Sequence, residues 1–411
     1  MLLKKVASFS LIVLLVNETL PAQNISRDSL LGQTNTITTA VPFLLIAPDA
    51  RAGAMGDAGV ASSPDANSIH WNPAKLAFVD KDFGVSLSYT PWLRALVPDI
   101  YVGYLAGYKK LKNDQTLGIS LMYFSLGSIT FTDVGGNVLN DFNPNEFSVD
   151  VAYARKLGDN FSGGLALRYI YSNLTGGIAL PTSGSYSHAG RSVAADISGF
   201  YHTDFDLSNK KSVFSAGLNI SNIGSKISYT ETGNKDFIPT NFRLGACLKS
   251  DLDEYNTLSF MADINKLLVP TPPVFLKRAD GTDSLDSDHN RIVHYGKDPN
   301  VSIASAIFSS WSDAPGGFAE EIKEFTYSLG IEYWYDKQFA IRAGYFHEAA
   351  TKGNRQYFTV GAGVKYNVFG IDFAYLIPTE QKHPLENTLR FTLLVDLDGL
   401  KKDKDEEKTN E

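Results

Sequence analysis

Phe325-Thr-Tyr-Ser-Leu-Gly-Ile-Glu-Tyr-Trp-Tyr335 puts Phe325, Tyr327, Leu329, Ile331, Tyr333 and Tyr335 on one face and Thr326, Ser328, Gly330 and Glu332 on the other. Side chains of an extended chain alternate between its two faces, so this stretch reads as a β-strand with one apolar and one polar side. The pattern recurs. Phe83, Val85, Leu87 and Tyr89 alternate with Gly84, Ser86, Ser88 and Thr90. Phe147 to Ala154, Phe358 to Tyr366 and Leu389 to Asp396 repeat it. Fourteen candidate strands emerge, at 83–90, 99–108, 115–125, 145–155, 161–172, 191–204, 212–221, 240–250, 256–265, 323–335, 338–346, 356–366, 369–377 and 387–396. Most run about 8 to 12 residues, the length a tilted strand needs to cross a bilayer. Strands of soluble sandwiches are shorter, about 5 to 6 residues. The expected fold is all-β, a fourteen-stranded antiparallel transmembrane β-barrel whose apolar faces meet lipid and whose polar faces line the lumen.

Loop lengths bear on that reading independently. The connections at 109–114, 156–160, 205–211, 251–255, 336–337 and 367–368 are short; those at 126–144, 173–190, 222–239 and 266–322 are long. Outer-membrane barrels carry short periplasmic turns and long outer loops, so the long connections are expected to face outside.

The start of the chain fits export. Lys4 and Lys5 precede a mostly apolar run, Val6 to Val16, too short to span as a helix, and Leu20-Pro21-Ala22 offers a cleavage site. Residues 1–22 therefore read as a signal peptide. The net charge is −8, which opposes a nucleic-acid partner. The single cysteine, Cys247, cannot form an internal disulfide and lies in an alternating stretch, so it reads as a buried or lipid-facing thiol. Residues 23–82, with their Gly- and Ala-rich part at 40–82, precede the first strand and are expected to fold into the lumen as a plug. The barrel is expected over 83–396, and 397–411 is a charged, solvated periplasmic tail.

No catalytic signature is present: G-x-S-x-G, H-E-x-x-H and the phosphate-binding loop are all missing, and the seven histidines are scattered. No catalytic residue, metal or cofactor is expected. Asp280, Asp283, Asp286 and Asp288 read as a solvated acidic loop. Ile303, Ile307 and Trp311, with Phe308 beside them, recur at helical spacing. They form either a lid on the barrel mouth or an exposed patch for a partner. Trp92 and Leu93, in the apolar stretch 91–98, sit either at the membrane interface or against a partner. Trp92, Leu93, Phe308 and Trp311 are thus the candidate partner-binding residues. Lumen-side charges at Arg168, Arg243, Glu332, Arg342, Lys365 and Arg390 are read as pairing with one another and with the plug, ahead of lining a conduction path.

The run Asp49 to Phe78 contains Ala50-Arg51-Ala52-Gly53, Met55-Gly56-Asp57-Ala58-Gly59 and Asn72-Pro73-Ala74. It resembles the plug of the FadL-like barrel superfamily and, more specifically, the PorV family of type IX secretion outer-membrane proteins. Tyr89-Thr-Pro-Trp-Leu-Arg94 continues the likeness. Within it Asp57, Asp65, Asn72 and Pro73 match the family pattern as structural residues. The resemblance implies a shuttle or scaffold, localised to the outer membrane. It would bind the C-terminal signal domain of secreted cargo and pass it from the translocon barrel to a sortase-like attachment complex, in contact with outer-membrane lipid. The alternatives are a FadL-like transporter of hydrophobic small molecules, which needs an apolar luminal pocket and an opening in the wall, and a lipid A-modifying enzyme, for which no nucleophile–base pair is visible. One departure stands out: many barrels end in an aromatic residue, whereas here Val395-Asp396-Leu397 leads into the charged tail.

Overall fold

The computed structural model describes residues 32–94, 97–132, 135–177, 186–231, 235–278 and 282–396. The expected signal peptide and charged tail lie outside them. Fourteen strands close into one antiparallel barrel. In chain order they are β1 (Phe83–Pro91), β2 (Ile100–Lys110), β3 (Gln115–Leu126), β4 (Asn145–Lys156), β5 (Phe161–Asn173), β6 (Gly190–Leu207), β7 (Lys210–Gly224), β8 (Asn241–Asp251), β9 (Asn256–Leu267), β10 (Phe325–Tyr335), β11 (Phe339–His347), β12 (Gln356–Tyr366), β13 (Phe369–Pro378) and β14 (Leu389–Asp396). Each pairs with its neighbour in sequence, and β1 closes the ring on β14, with Leu87 opposite Leu393. Closure leaves no unpaired strand edge, a requirement for β-structure in lipid.

Burial runs opposite to that of a soluble protein. In β1 Ser86 and Ser88 are buried while Leu87 is 53% exposed. The apolar face therefore points outward and the small polar face inward, as the alternation predicts. Aromatic side chains gather at both ends of the outer face. Tyr89, Tyr101 and Tyr123 adjoin one another at one end, their rings tilted and the centroids 5.6 and 6.2 Å apart. Tyr335, Phe339, Tyr366 and Phe369 lie outward at the other. Such girdles mark the two membrane–water interfaces. No described helix is long and apolar enough to cross a membrane.

All short turns lie at one end and all long connections at the other. One turn is tighter than the sequence implies. The alternation ends near Asp204 and resumes near Ser212, yet β6 and β7 pair as far as Leu207 and Lys210. Ser208 and Asn209 both take positive φ (52° and 63°), which matches the twist of a two-residue hairpin and keeps the strands joined. The long connection after β9 spans 268–324, slightly later than expected, because Lys266 still pairs with Phe325.

Residues 41–79 run inside the ring of strands. They form short helical turns, Ala50–Gly53, Ser68–Trp71 and Pro73–Phe78, joined by tight backbone. Asp49 organises two of them: its Oδ1 accepts from Ala52 N at 2.9 Å and its Oδ2 from Trp71 Nε1 at 2.7 Å. The wall meets this segment with small residues. At Gly330 a Cβ would lie 2.7 Å from Met55 Cβ, and at Gly118 one would lie 2.9 Å from Ile69 and Leu76. At Gly344 it would run into the backbone of Met55 and Gly56. Wall polar groups take up the segment's N–H groups. Thr392 Oγ1 accepts from Ala50 N and Thr359 Oγ1 from Gly56 N, each at 2.8 Å. Asp263 Oδ2 accepts from Gly59 N at 2.7 Å and Val60 N at 2.9 Å. The Gly- and Ala-rich composition thus allows backbone to approach backbone, and the N–H groups of Ala50, Gly56, Gly59 and Val60 each find a side-chain acceptor on the wall.

Candidate functional site

Charge inside the barrel is held in discrete pairs. Glu332 accepts from Arg51 Nη2 at 2.8 Å and Arg342 Nε at 2.7 Å, and Arg342 also reaches Asp372 at 2.6 Å. Arg168 binds Asp150 at 2.5 Å, Asp196 at 3.2 Å and the side chain of Asn222. Asn222 (φ 60°) sits where the β6–β7 register shifts. The wall is irregular there, yet its inner side is filled by this charged network.

The four motif residues all face inward contacts. Asp57 accepts from Arg390 Nη1 at 2.9 Å and from Tyr357 OH at 2.7 Å. Asp65 pairs with Arg51 at 3.1 Å. Asn72 Nδ2 donates to Val60 O and Gly199 O, at 3.2 and 3.1 Å, while its Oδ1 accepts from Ala74 N. Pro73 opens the turn that Asn72 caps, where its missing N–H is harmless.

Above this packed layer, at the long-loop end, lies a cavity of about 450 Å³ lined by Ile37, Leu45, Trp71, Trp92, Arg243 and Tyr357, among others. A second cavity, about 380 Å³, opens at the short-turn end beside Arg51, Phe78 and Lys156. The upper cavity holds several charged groups, and most are committed. Arg355 makes a two-pronged pair with Glu348, at 2.8 and 2.7 Å. Lys266 binds Glu324 and Glu321, at 2.6 and 2.8 Å, and Lys352 binds Glu320 and Glu324, at 2.6 and 3.0 Å. These pairs bind the long connection to the barrel rim. Arg243 differs. It is 5% exposed, its guanidinium lies over the Trp71 ring at 4.9 Å, and its Nη1 has no partner. It forms no ion pair among the described residues. The guanidinium borders the cavity, its Nε donates to the Asn241 side-chain oxygen at 2.8 Å, and its enclosed Nη1 is left as a donor for an anionic or carbonyl group that displaces the side chains around it.

Asp313, Glu321 and Glu324 bring carboxylate oxygens within 4.8 Å of one another, a grouping that fits a small cation. The Lys266 ammonium already occupies two of the three, so the cluster carries its own cation. Burial pushes the Asp313 carboxyl above its usual range; the Thr271 N–H opposes this, and Glu324 and Glu321 add to it. In the acidic loop Asp280 lies outside the described residues. Asp283 pairs with Lys277 at 2.5 Å, and Asp286 accepts from the N–H groups of Asp288 and Asn290.

The candidate partner-binding residues separate into two groups. Trp92 and Leu93 (φ 50°) turn inward and pack on Phe346, Tyr357, Leu376 and Leu385. Phe308 and Trp311 stay outside, 79% and 41% exposed. Phe308 lies on the helix Ile303–Ser309, which docks through the buried Ala306, and Trp311 follows its end. The composition of 91–98 does not reveal this inward turn, because an apolar loop reads alike folded in or out. The lysines and glutamates of the rim were missed as a group, although Lys266 stands in the polar register of β9. Of the luminal charges, Arg243 is unpaired and Lys365 is exposed at the short-turn end.

No curated protein matches the chain by sequence. Among solved structures it is similar to a deletion mutant of the monoaromatic hydrocarbon channel TodX, at 13% identity and TM-score 0.47, covering 84% of this chain and 97% of that one. It is similar to the toluene transporter TbuX of Ralstonia pickettii, at 12% identity and TM-score 0.45, over 85% and 97%. It is also similar to a FadL homologue of Pseudomonas aeruginosa, at 13% and 0.40, over 88% and 99%. The sequence model of one family, described as type IX secretion system protein PorV, matches residues 30–274, which include the whole luminal segment and β1 to β9. That match spans more than half of the 411 residues, and the chain belongs to the PorV family of type IX secretion system proteins.

Proposed function

We propose that the protein acts as a shuttle or scaffold of type IX secretion. It binds the C-terminal signal domain of secreted cargo at its long-loop end and passes it from the translocon barrel to the sortase-like attachment complex. Its long loops face the cell exterior, and residues 41–79 serve as a plug. The protein binds and hands over; it performs no covalent step. The observation that carries this reading is the contrast between the two regions of the lumen. The middle is filled by interlocked backbone and paired charge, while the upper cavity is bordered by Arg243, which has no ion pair among the described residues, beside Trp71 and Trp92. A carboxylate of the cargo domain is the natural occupant for that donor, since charge-assisted pairs with arginine are strong and directional.

Transport of hydrophobic small molecules finds some support in the apolar share of that cavity. It requires an opening in the wall, and at the β6–β7 irregularity the inner side is closed by Arg168, Asp150, Asp196 and Asn222. A binding assay separates the readings. Purified barrel should retain a cargo signal domain on a column, and Arg243→Met should weaken retention roughly tenfold or more, the scale of a lost charged hydrogen bond. Undiminished retention by the variant removes Arg243 from the site. No retention by the wild type, with protein-dependent uptake of a fatty acid by cells, favours the transporter.

A further inference from the structure

The long connection ends in a helical turn with two unlike faces. Phe318–Glu321 runs directly into the turn Ile322–Glu324 and then into β10. Glu320, Glu321 and Glu324 are buried against Lys266 and Lys352. Phe318 and Ile322, four residues apart, point the other way and are 78% and 46% exposed. The same row continues down the outer face of β10 through Phe325, Tyr327, Leu329 and Ile331. Trp311 lies across the top of this row, its ring 5.3 Å from Phe242 on β8 and 6.2 Å from Phe325 on β10. Phe308 projects beside it. The barrel's lipid-facing belt therefore extends past the strand ends by one helical turn.

We propose that Phe308, Trp311, Phe318 and Ile322 insert into the membrane surface and anchor the long connection to lipid. Three observations select lipid over a protein partner. The patch is continuous with the outward row of β10. It is made of the residue types that favour the bilayer interface, with tryptophan at the boundary. The ion pairs Lys266–Glu321 and Lys352–Glu320 fix the turn that carries Phe318 and Ile322, so these two side chains cannot fold inward without breaking them. The anchor holds the connection at the rim, beside the upper cavity, independently of what that cavity binds.

The full chain is reconstituted into phosphatidylcholine vesicles with and without brominated acyl chains, beside Trp311→Phe. Trp311 is the outward-facing tryptophan; Trp71, Trp92 and Trp334 contact the lumen or its mouth. Bromolipid should quench a share of the emission that Trp311→Phe lacks, and aqueous acrylamide should leave that share largely intact. Quenching of the Trp311 share by acrylamide but not by bromolipid overturns the anchor. Because Trp311→Phe changes local packing, nitroxides at Phe308→Cys and Phe318→Cys give a second readout. Both should collide more with oxygen than with a water-soluble nickel chelate, while a label at the exposed Ser305 should do the reverse. Equal nickel accessibility at all three sites overturns the proposal as well.

Discussion

Replacing Asp57 by asparagine should unseat the luminal segment while leaving the barrel intact. Asp57 is the ion partner of Arg390, which is 2% exposed and whose Nε and Nη2 have no hydrogen-bond partner. Asp57 also takes the hydroxyl of Tyr357, and its backbone is left-handed at φ 62°. Asparagine tolerates that conformation, so the substitution removes the charge and leaves the turn. Losing one member of a buried pair costs about 3–5 kcal/mol when the other charge stays buried. Asp57 itself is 15% exposed, and asparagine keeps an oxygen for Tyr357 or Arg390, so the cost falls at or below the bottom of that range. A cost of about 2–3 kcal/mol shifts a local opening equilibrium roughly 30- to 150-fold. Hydrogen exchange resolved along the chain measures it. Amides of residues 50–60 should exchange faster by that factor, while those of β1 to β14 keep their protection, because the strand ladder makes no use of Asp57. Unchanged protection at 50–60 refutes the assignment. Equal loosening of segment and strands shows instead that the segment is part of the barrel's global stability. Asp57→Ala should go further, by about 1–2 kcal/mol, because alanine is strained at positive φ.

The rim cluster yields two more tests. Lys266→Met leaves the buried carboxylates of Glu321 and Glu324 short of a cation and should destabilise the docking of residues 268–324 by about 3 kcal/mol. Brief proteolysis should then cut that connection while the barrel core stays resistant; cleavage at the wild-type rate counts against the cluster as its fastening. Asp313→Asn should act in the opposite direction at neutral pH. Burial raises the Asp313 carboxyl in the folded state, so the ionised form costs stability. That cost is absent below the ordinary aspartate range and develops as pH rises through the raised folded value. The asparagine variant should therefore dock its long connection more firmly at pH 7, by hydrogen exchange of residues 271–324, with the difference fading on acidification. An equally or less protected variant at neutral pH contradicts the assignment.

The strands were legible because the membrane imposes a strong rule on them. Ten-residue stretches must alternate without interruption when one face meets lipid and the other does not. β6 and β7 show where that legibility stops: Asp204, Asp206 and Lys211 lie in the paired region beyond the apolar face, and the turn residues, not hydrophobicity, set its end. Luminal charges were visible as charges on the polar face, but not their partners. Arg390 finds Asp57 across 333 positions of sequence, and Arg51 finds Glu332 across 281. Alternation assigns a face and says nothing of height along the strand or of what packs opposite. Gly118, Gly330 and Gly344 were likewise readable only as weak strand formers, although Gly330 and Gly344 meet the backbone at Met55 and Gly56 and Gly118 meets the side chains of Ile69 and Leu76. Trp92 failed for a related reason: the signal for its inward turn is the left-handed Leu93, and leucine carries no composition cue for positive φ.

On the proposed reading, the residues that carry the family likeness are not those that meet the partner. Asp49, Arg51, Asp57, Asp65 and Asn72 spend their polar groups on the wall and on one another. Opening a path through the middle of the lumen means separating Arg51 from Glu332 and Asp57 from Arg390, which leaves three buried charges, Arg51, Glu332 and Arg390, without these partners. Breaking even one such pair costs about 3–5 kcal/mol. Conduction through a seated segment is therefore disfavoured unless a ligand offsets most of that sum. Binding at the upper rim meets no such barrier. Arg243 is buried with no ion pair among the described residues and an unpartnered Nη1, so an incoming carboxylate supplies a missing hydrogen bond. The same accounting predicts where affinity resides: substitutions in the motif should change how tightly the segment is held, and substitutions at Arg243 should change how tightly cargo is held, with each leaving the other measurement unmoved.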